Sequence, residues 1–291
     1  MDTKAQKNIL IISFLIVPVI LLILFVIYPT LKLVQLSFTS WDGFARDIEY
    51  IGLNNYFELF TDSEDAWLSL KNNGIYFFMH LLAIPIEIFV AFLLDSKLRA
   101  GKFFKGIIFL PYIINGVAVS YMFAMLFSSE GGAINEFLKL LDIQPLGWLS
   151  DKSIVNYSLG AVSLWRFSGM HVILFLAAIQ TVSSDLIEAA KIDGANIFQQ
   201  YTKIILPNIS LVVEIVLFLN VRGALQVFDI PFIMTGGGPG YASSTFTLST
   251  IETAFKFSDF GKASAMAILL MFIIVIVTLI QKKLIGGDSA E

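Results

Sequence analysis

The chain has no cysteine in its 291 residues, which excludes disulfides and thiolate metal centres and leaves the redox compartment open. Histidine occurs only at His80 and His171. Both sit inside apolar runs without a second histidine or a carboxylate at ligand spacing, so packed or pore-lining roles suit them better than metal binding. Charge is scarce, 14% of residues, where soluble domains carry about 25%. Nineteen Lys and Arg against 23 Asp and Glu leave a formal charge of −4, and nothing in that balance points to nucleic acid. Catalytic motifs are missing too. There is no Gly-x-Ser-x-Gly and no His-Glu-x-x-His, and no carboxylates pair in a plausible pocket. Gly101-Lys102 and Gly261-Lys262 lack the upstream Gly and the following Ser or Thr of a phosphate loop. Neither intrinsic ATP binding nor intrinsic enzyme activity is expected.

What the chain has in abundance is apolar sequence: 57% of residues are hydrophobic. Six runs approach or exceed the roughly 20 helical residues that cross a bilayer core. They are Ile9–Tyr28, Ile75–Leu94, Ile107–Phe127, Tyr157–Ile179, Ile209–Ile230 and Ala263–Ile280. Glu214, Arg222 and Asp229 interrupt the fifth. The first is too long for a signal-peptide core and no small-residue cleavage site follows it, so it is expected to be a retained helix. The predicted fold class is all-α, a polytopic membrane protein with six transmembrane helices. It forms a single domain over residues 1–291 with its core at about 71–285.

Lys and Arg set the orientation. Six spans put both termini on one side, together with Lys4, Lys7, Lys97, Arg99, Lys102, Lys105, Lys191, Lys203, Lys282 and Lys283. The opposite side carries Asp42, Asp47, Glu49, Glu58, Asp62, Glu64 and Asp65, offset by Arg46. Both termini and the segment at about 183–207 are therefore expected to be cytoplasmic.

That segment reads Glu188-Ala189-Ala190-Lys191-Ile192-Asp193-Gly194 and ends in Ile204-Ile205-Leu206-Pro207. Asp185 with Glu188 is a capping-box-like start. Ala189 and Ala190 are small helix formers that allow a partner surface to approach. Gly194 permits a turn that most residues resist. A second short helix, Ile197 to Leu206, places Phe198 where a partner's pocket would receive it.

The spacing Glu-Ala-Ala, three residues, Gly, nine residues, Ile-x-Leu-Pro resembles the EAA loop of permease subunits of binding-protein-dependent ABC importers. The resemblance implies that Glu188, Ala189, Ala190, Asp193, Gly194 and Phe198 grip a separate ATPase. It also implies a type I ABC importer permease fold in a bacterial cytoplasmic membrane. The chain would hold no cofactor of its own, with ATP and Mg²⁺ bound by partner subunits. The implied partners are a second homologous permease, two ATP-binding cassette subunits, an extracellular sugar-binding protein, the carbohydrate substrate and membrane lipid. Two external loops resemble sugar-importer permeases. One contains Tyr50-Ile51-Gly52-Leu53-Asn54-Asn55-Tyr56 and reads as a cap over the external mouth. The other, Gly236-Gly237-Gly238-Pro239, is followed by Ser244-Thr245-Phe246 and faces the binding protein in that family. A flexible external turn is the plainer reading of this glycine run. In the loop at 128–153, Trp148 is read as an interfacial anchor.

Intramembrane polar residues cost roughly 2.5–3.5 kcal/mol each when charged and centred, so they face a bundle interior or an aqueous cavity. Ser163, Arg166 and Met170 are spaced three and four apart and share a helix face. Asn220, Arg222 and Gln226 lie in the fifth run, and Tyr112, Asn115 and Gly116 follow Pro111 in the third. Amides, a guanidinium and aromatic faces make a mixture that suits sugar hydroxyls and ring C–H faces. Carrying over the maltose-type contact positions adds Phe167 and Ala224, so the substrate set is Tyr112, Asn115, Gly116, Ser163, Arg166, Phe167, Met170, Asn220 and Ala224. Arg166 stands where maltose-type members are apolar. It is read as either a ligand contact or an ion-pair partner of Glu214 or Glu87, and Glu214 with Arg222 reads as an internal polar seam. The expected function is carbohydrate import, of a di- or oligosaccharide. Glycerol-3-phosphate or another anion is the alternative substrate, and an ion-coupled secondary transporter or a membrane-bound enzyme are alternatives of other classes.

Overall fold

A computed structural model describes residues 3–95 and 101–285; Lys97 and Arg99, counted above in the orientation argument, lie outside the described residues. In chain order the helices are α1 Thr3–Leu22, α2 Tyr28–Leu36, α3 Asn54–Thr61, α4 Glu64–Asp95, α5 Gly101–Ile113, α6 Gly116–Leu126 and α7 Ala133–Leu140. They continue with α8 Val155–Ile179, α9 Ser184–Ile192, α10 Ile197–Gln200, α11 Leu206–Asn208, α12 Ser210–Leu225, α13 Asp229–Thr235, α14 Phe246–Phe255 and α15 Phe260–Ile285. The all-α expectation holds: extended pairing among the described residues is an isolated bridge between Thr39 and Tyr50.

Five stretches are long and apolar enough to cross a bilayer: Gln6–Leu36, Glu64–Asp95, Val155–Ile179, Ser210–Thr235 and Phe260–Lys283. The third predicted span departs from a straight helix. It is the pair α5 and α6, bent by 93°, and counts as a sixth crossing only as a broken one. Pro111 withholds the N–H that would bond Ile107. Asn115, with ψ 131°, then restarts the helix as an N-cap whose side chain accepts the Val117 N–H at 2.9 Å.

Two π-helical turns, Ile23–Ile27 and Tyr201–Ile205, each end two residues before a proline, Pro29 and Pro207. An α-helical proline clashes with the carbonyl four residues back. Widening the preceding turn removes that clash and keeps the chain helical. The second predicted cytoplasmic helix is therefore continuous through Pro207, with a π turn inside it.

The chain divides into two compact units, Met1–Ser63 with Thr250–Phe272, and Glu64–Ser249 with Ile273–Glu291. In the first, buried Asn55 donates to the carbonyls of Ser37 (2.9 Å) and Thr39 (2.8 Å), and Tyr56 donates to the Ser37 hydroxyl at 2.8 Å. The Gly-Leu-Asn-Asn-Tyr segment thus clamps the end of α2. Gly261 passes against the Thr39 carbonyl, where a Cβ has no room.

In the second unit α8 is central, packed on α4, α5 and α12. Gly169 makes the α5 contact possible, because the Ile108 carbonyl occupies its Cβ position. Two apolar clusters form. One includes Ile84, Ile88, Val172, Phe175, Ile205 and Val216, the other Tyr76, Val119, Leu159, Val162, Ala224 and Ile230. Between them on the same helices lie His80 on α4, Ser163 to His171 on α8 and Asn220 on α12, a polar layer between two greasy ones. Trp148, expected at the membrane interface, also has partners inside its loop. Its Nε1 donates to buried Asn135 at 2.9 Å and its half-buried ring stacks on Phe127 at 5.5 Å, which ties the loop to the end of α6.

Candidate functional site

The polar layer opens into a cavity of about 380 Å³, within the range of small-molecule sites. Seven of the predicted contact residues line it: Tyr112, Ser163, Arg166, Phe167, Met170, Asn220 and Ala224. The three- and four-residue spacing on α8 does bring Ser163, Arg166 and Met170 to one wall. Asn115 and Gly116 are not among the lining residues. Asn115 is spent on capping α6, and Gly116 lies beneath the pair formed by Arg166 and Asp229, whose atoms occupy the place a Cβ would take.

Asp229, not Glu214 or Glu87, is the partner of Arg166. Nη1 meets Oδ2 at 2.5 Å, and the guanidinium carbon sits 4.8 Å from the Phe167 ring centroid. Glu87 instead pairs with His171, Oε2 to Nδ1 at 3.0 Å, and both are buried. His80 Nε2 bonds the Ser163 hydroxyl at 2.9 Å, and the two imidazoles stand 6.1 Å apart. Both histidines are buried and both line the cavity. Arg222 does not form a seam with Glu214; it is exposed and donates to Gln226 at 3.2 Å.

The cavity also holds Tyr76, which the sequence did not single out, beside the predicted Asn220. Tyr76, 1% exposed, and Asn220, 4% exposed, both line it, and the Tyr76 hydroxyl and Asn220 Oδ1 have no hydrogen-bond partner among the described residues. Each such orphan costs roughly 1–3 kcal/mol if left dry. Asp229 and Tyr76 leave little sequence signal: each stands alone in an apolar run, and the partner or cavity that gives it meaning is far along the chain.

The cavity wall at the break between α12 and α13 is held from outside. Helix ends in an apolar medium need partners for their carbonyls. Asn73 donates to Ala224, Thr247 to Leu225 at 3.3 Å and Thr245 to Val227 at 2.7 Å, while the Phe246 N–H returns to Asn73 at 2.9 Å. The adjoining glycine loop is tied to its neighbours by hydrogen bonds as well. The Ser243 hydroxyl donates to the Gly238 carbonyl at 2.6 Å and bonds Thr235 at 2.7 Å. Asn72 and Asn156 hold the carbonyls of Ser244 and Ala242. Gly236 and Gly237 take φ of 57° and 82°, which side chains resist.

At the stub, Ser183 caps α9, accepting the Asp185 N–H at 3.2 Å, so the expected Asp185–Glu188 capping box does not form there. A true capping box starts α10 instead, between Asn196 and Gln199. Gly194, at φ 81°, closes α9. Its N–H bonds the Lys191 carbonyl and the Ala195 N–H bonds Ala190, a Schellman ending that turns the chain back. The result presents Ile192 (87% exposed) and Phe198 (72% exposed) beside exposed Glu188 and Ala189.

Residues 81–285 match the family described as binding-protein-dependent transport system inner membrane component. The chain belongs to that family. It is 32% identical over 283 residues to a probable ABC transporter permease, YurN of Bacillus subtilis, covering 94% of this chain and 96% of that one. It is 33% identical over 278 residues to the multiple sugar-binding transport system permease MsmF of Streptococcus mutans, covering 94% and 93%. Among solved structures, a chain of a bacterial ABC transporter that imports the acidic polysaccharide alginate superposes with a TM-score of 0.86 at 21% identity, covering 98% of each chain. That likeness establishes the fold, the type I permease architecture. This permease is an integral, multi-pass inner-membrane component of an ABC importer.

Proposed function

We propose that this permease moves a carbohydrate of di- or oligosaccharide size through the cavity between α4, α8 and α12, and that a separate ATPase drives it through the α9–α10 stub. The carrying observation is the stub itself: two short capped helices with Ile192 and Phe198 turned outward and left uncovered by the described residues. The family's EAA spacing falls on the residues that build this surface. A sugar is favoured because the curated relative MsmF is named for multiple-sugar transport, and because the cavity mixes amide, hydroxyl and aromatic groups. A second permease, two ATPase subunits and an extracellular binding protein that meets the Gly236–Pro239 loop complete the assembly, with both termini cytoplasmic. Closure of the ATPase dimer shifts the bundle between outward- and inward-open forms, and the loaded binding protein acts through its differential affinity for the outward-open one.

With no native cysteine, Ala190→Cys gives a single reactive thiol. Cross-linking from it in native membranes is expected to capture an ATP-binding subunit, and Gly194→Val is expected to abolish sugar uptake without loss of the protein from the membrane. Capture of no nucleotide-binding protein, or labelling of the introduced thiol only from outside the cell, would overturn the coupling role.

A further inference from the structure

We infer that Tyr76 is a specificity-determining contact of the cavity: with Asn220 it seats one uncharged hydroxyl of the ligand and discriminates against an anionic group. This rests on the carbohydrate reading above.

The Tyr76 ring belongs to the buried apolar cluster that includes Val119, Leu159 and Val162. Its hydroxyl is fully buried and has no partner among the described residues, and the residue is part of the cavity wall. Asn220, also part of the cavity wall, is oriented by its amide nitrogen, which donates to the Phe77 carbonyl at 3.4 Å, and this leaves Oδ1 as a buried acceptor without a partner among the described residues. A phenol O–H that can donate and an amide oxygen that can only accept are together satisfied by a group that accepts from one and donates to the other. An alcohol does both. A carboxylate or phosphate oxygen can accept from Tyr76 but cannot satisfy Asn220 Oδ1, and it would face that oxygen's negative end.

Arg166, the cation that suggests an anionic ligand, is neutralised by Asp229 and covered by Phe167. Arg222 also lines the cavity, but it is exposed and already directed at Gln226. Arg166 Nε keeps a buried N–H without a partner, but its charge is matched by Asp229, so at Tyr76 and Asn220 the pair of hydrogen-bonding atoms sets the preference.

The test uses the complete transporter, with its partner permease, ATPases and binding protein, in proteoliposomes. Uptake of maltose, trehalose, raffinose and the carboxylate-bearing maltobionate is measured at saturating binding protein. For the best neutral substrate, Tyr76→Phe is expected to lower the maximal uptake rate about tenfold, the scale of one lost hydrogen bond. Among the monodeoxy analogues of that sugar, one is expected to be carried by Tyr76→Phe and wild type equally. Removing an oxygen that bonds nothing in the protein should leave the thermal midpoint of the assembled complex unchanged or raised, which separates ligand contact from folding. Equal losses on the parent sugar and on every deoxy analogue, or no loss on any, overturn the proposal. Transport of maltobionate alone also overturns it while leaving the carbohydrate reading intact; transport of none of the four overturns the carbohydrate reading and this inference with it.

Discussion

Arg166 on α8 and Asp229 at the start of α13 are joined by an ion pair that rests on the bare backbone of Gly116 at the head of α6. Three helix segments meet at that point, two of them at breaks in the chain. The side chains are 15% and 34% exposed, so water screens the pair only partly. An unpaired charge there would be costly, and the two residues are expected to depend on each other.

The dependence is measurable by a double-mutant cycle. Asp229→Asn and Arg166→Gln are each expected to destabilise the assembled protein by about 2 kcal/mol. The double variant should lose at least about 1 kcal/mol less than the sum. Strict additivity in thermal or denaturant unfolding would mean that the pair is an incidental contact.

Asn73 offers a second test. Its side chain joins the Ala224 carbonyl at the end of α12 to the Phe246 N–H at the start of α14. Asn73→Ala strands both backbone groups in a buried position, and a loss of about 2–4 kcal/mol is expected. Hydrogen exchange at Phe246 should report the change first. Unaltered exchange in the alanine variant would show that the loop is held by its other bonds.

The loop between α2 and α3 carries a pH dependence. The N–H groups of Ala45 and Phe44 donate to Asp42, and these bonds hold its carboxyl below the ordinary value of 3.8. Because the folded group is the stronger acid, its contribution is present above the ordinary carboxylate range and is lost as pH falls through the lowered folded value. Protection of the Phe44 and Ala45 amides should therefore persist from neutral pH to about 4 and fall below that. In Asp42→Asn the pH step should vanish. A step of the same size in that variant would assign it to another carboxylate.

Much of this was legible from the residues alone, and the reason is that the signals concerned are local. Long apolar runs announce crossings because a bilayer has a fixed thickness. Glu188-Ala189-Ala190 with Gly194 announces a turn between two short helices because only a residue free to take positive φ closes that Schellman ending. Ser163, Arg166 and Met170 could be placed on one wall because helical periodicity is enough to do so. These features were fixed by chain neighbours within a turn or two of helix, so the linear order of residues determined them.

The partners were a different matter. Asp229 lies 63 residues from Arg166 and Glu87 lies 84 from His171, and no periodicity links either pair. Glu214 and Glu87 were equally plausible mates for the guanidinium until packing excluded them. Asn115 and Gly116 looked like ligand contacts, but only the 93° bend reveals that one caps a helix and the other makes room for an ion pair. Tyr76 became visible as a cavity group once α4, α8 and α12 had closed around it. Hydrogen bonds and ion pairs between distant segments depend on where whole helices come to rest, and that is set by the collective packing of the bundle.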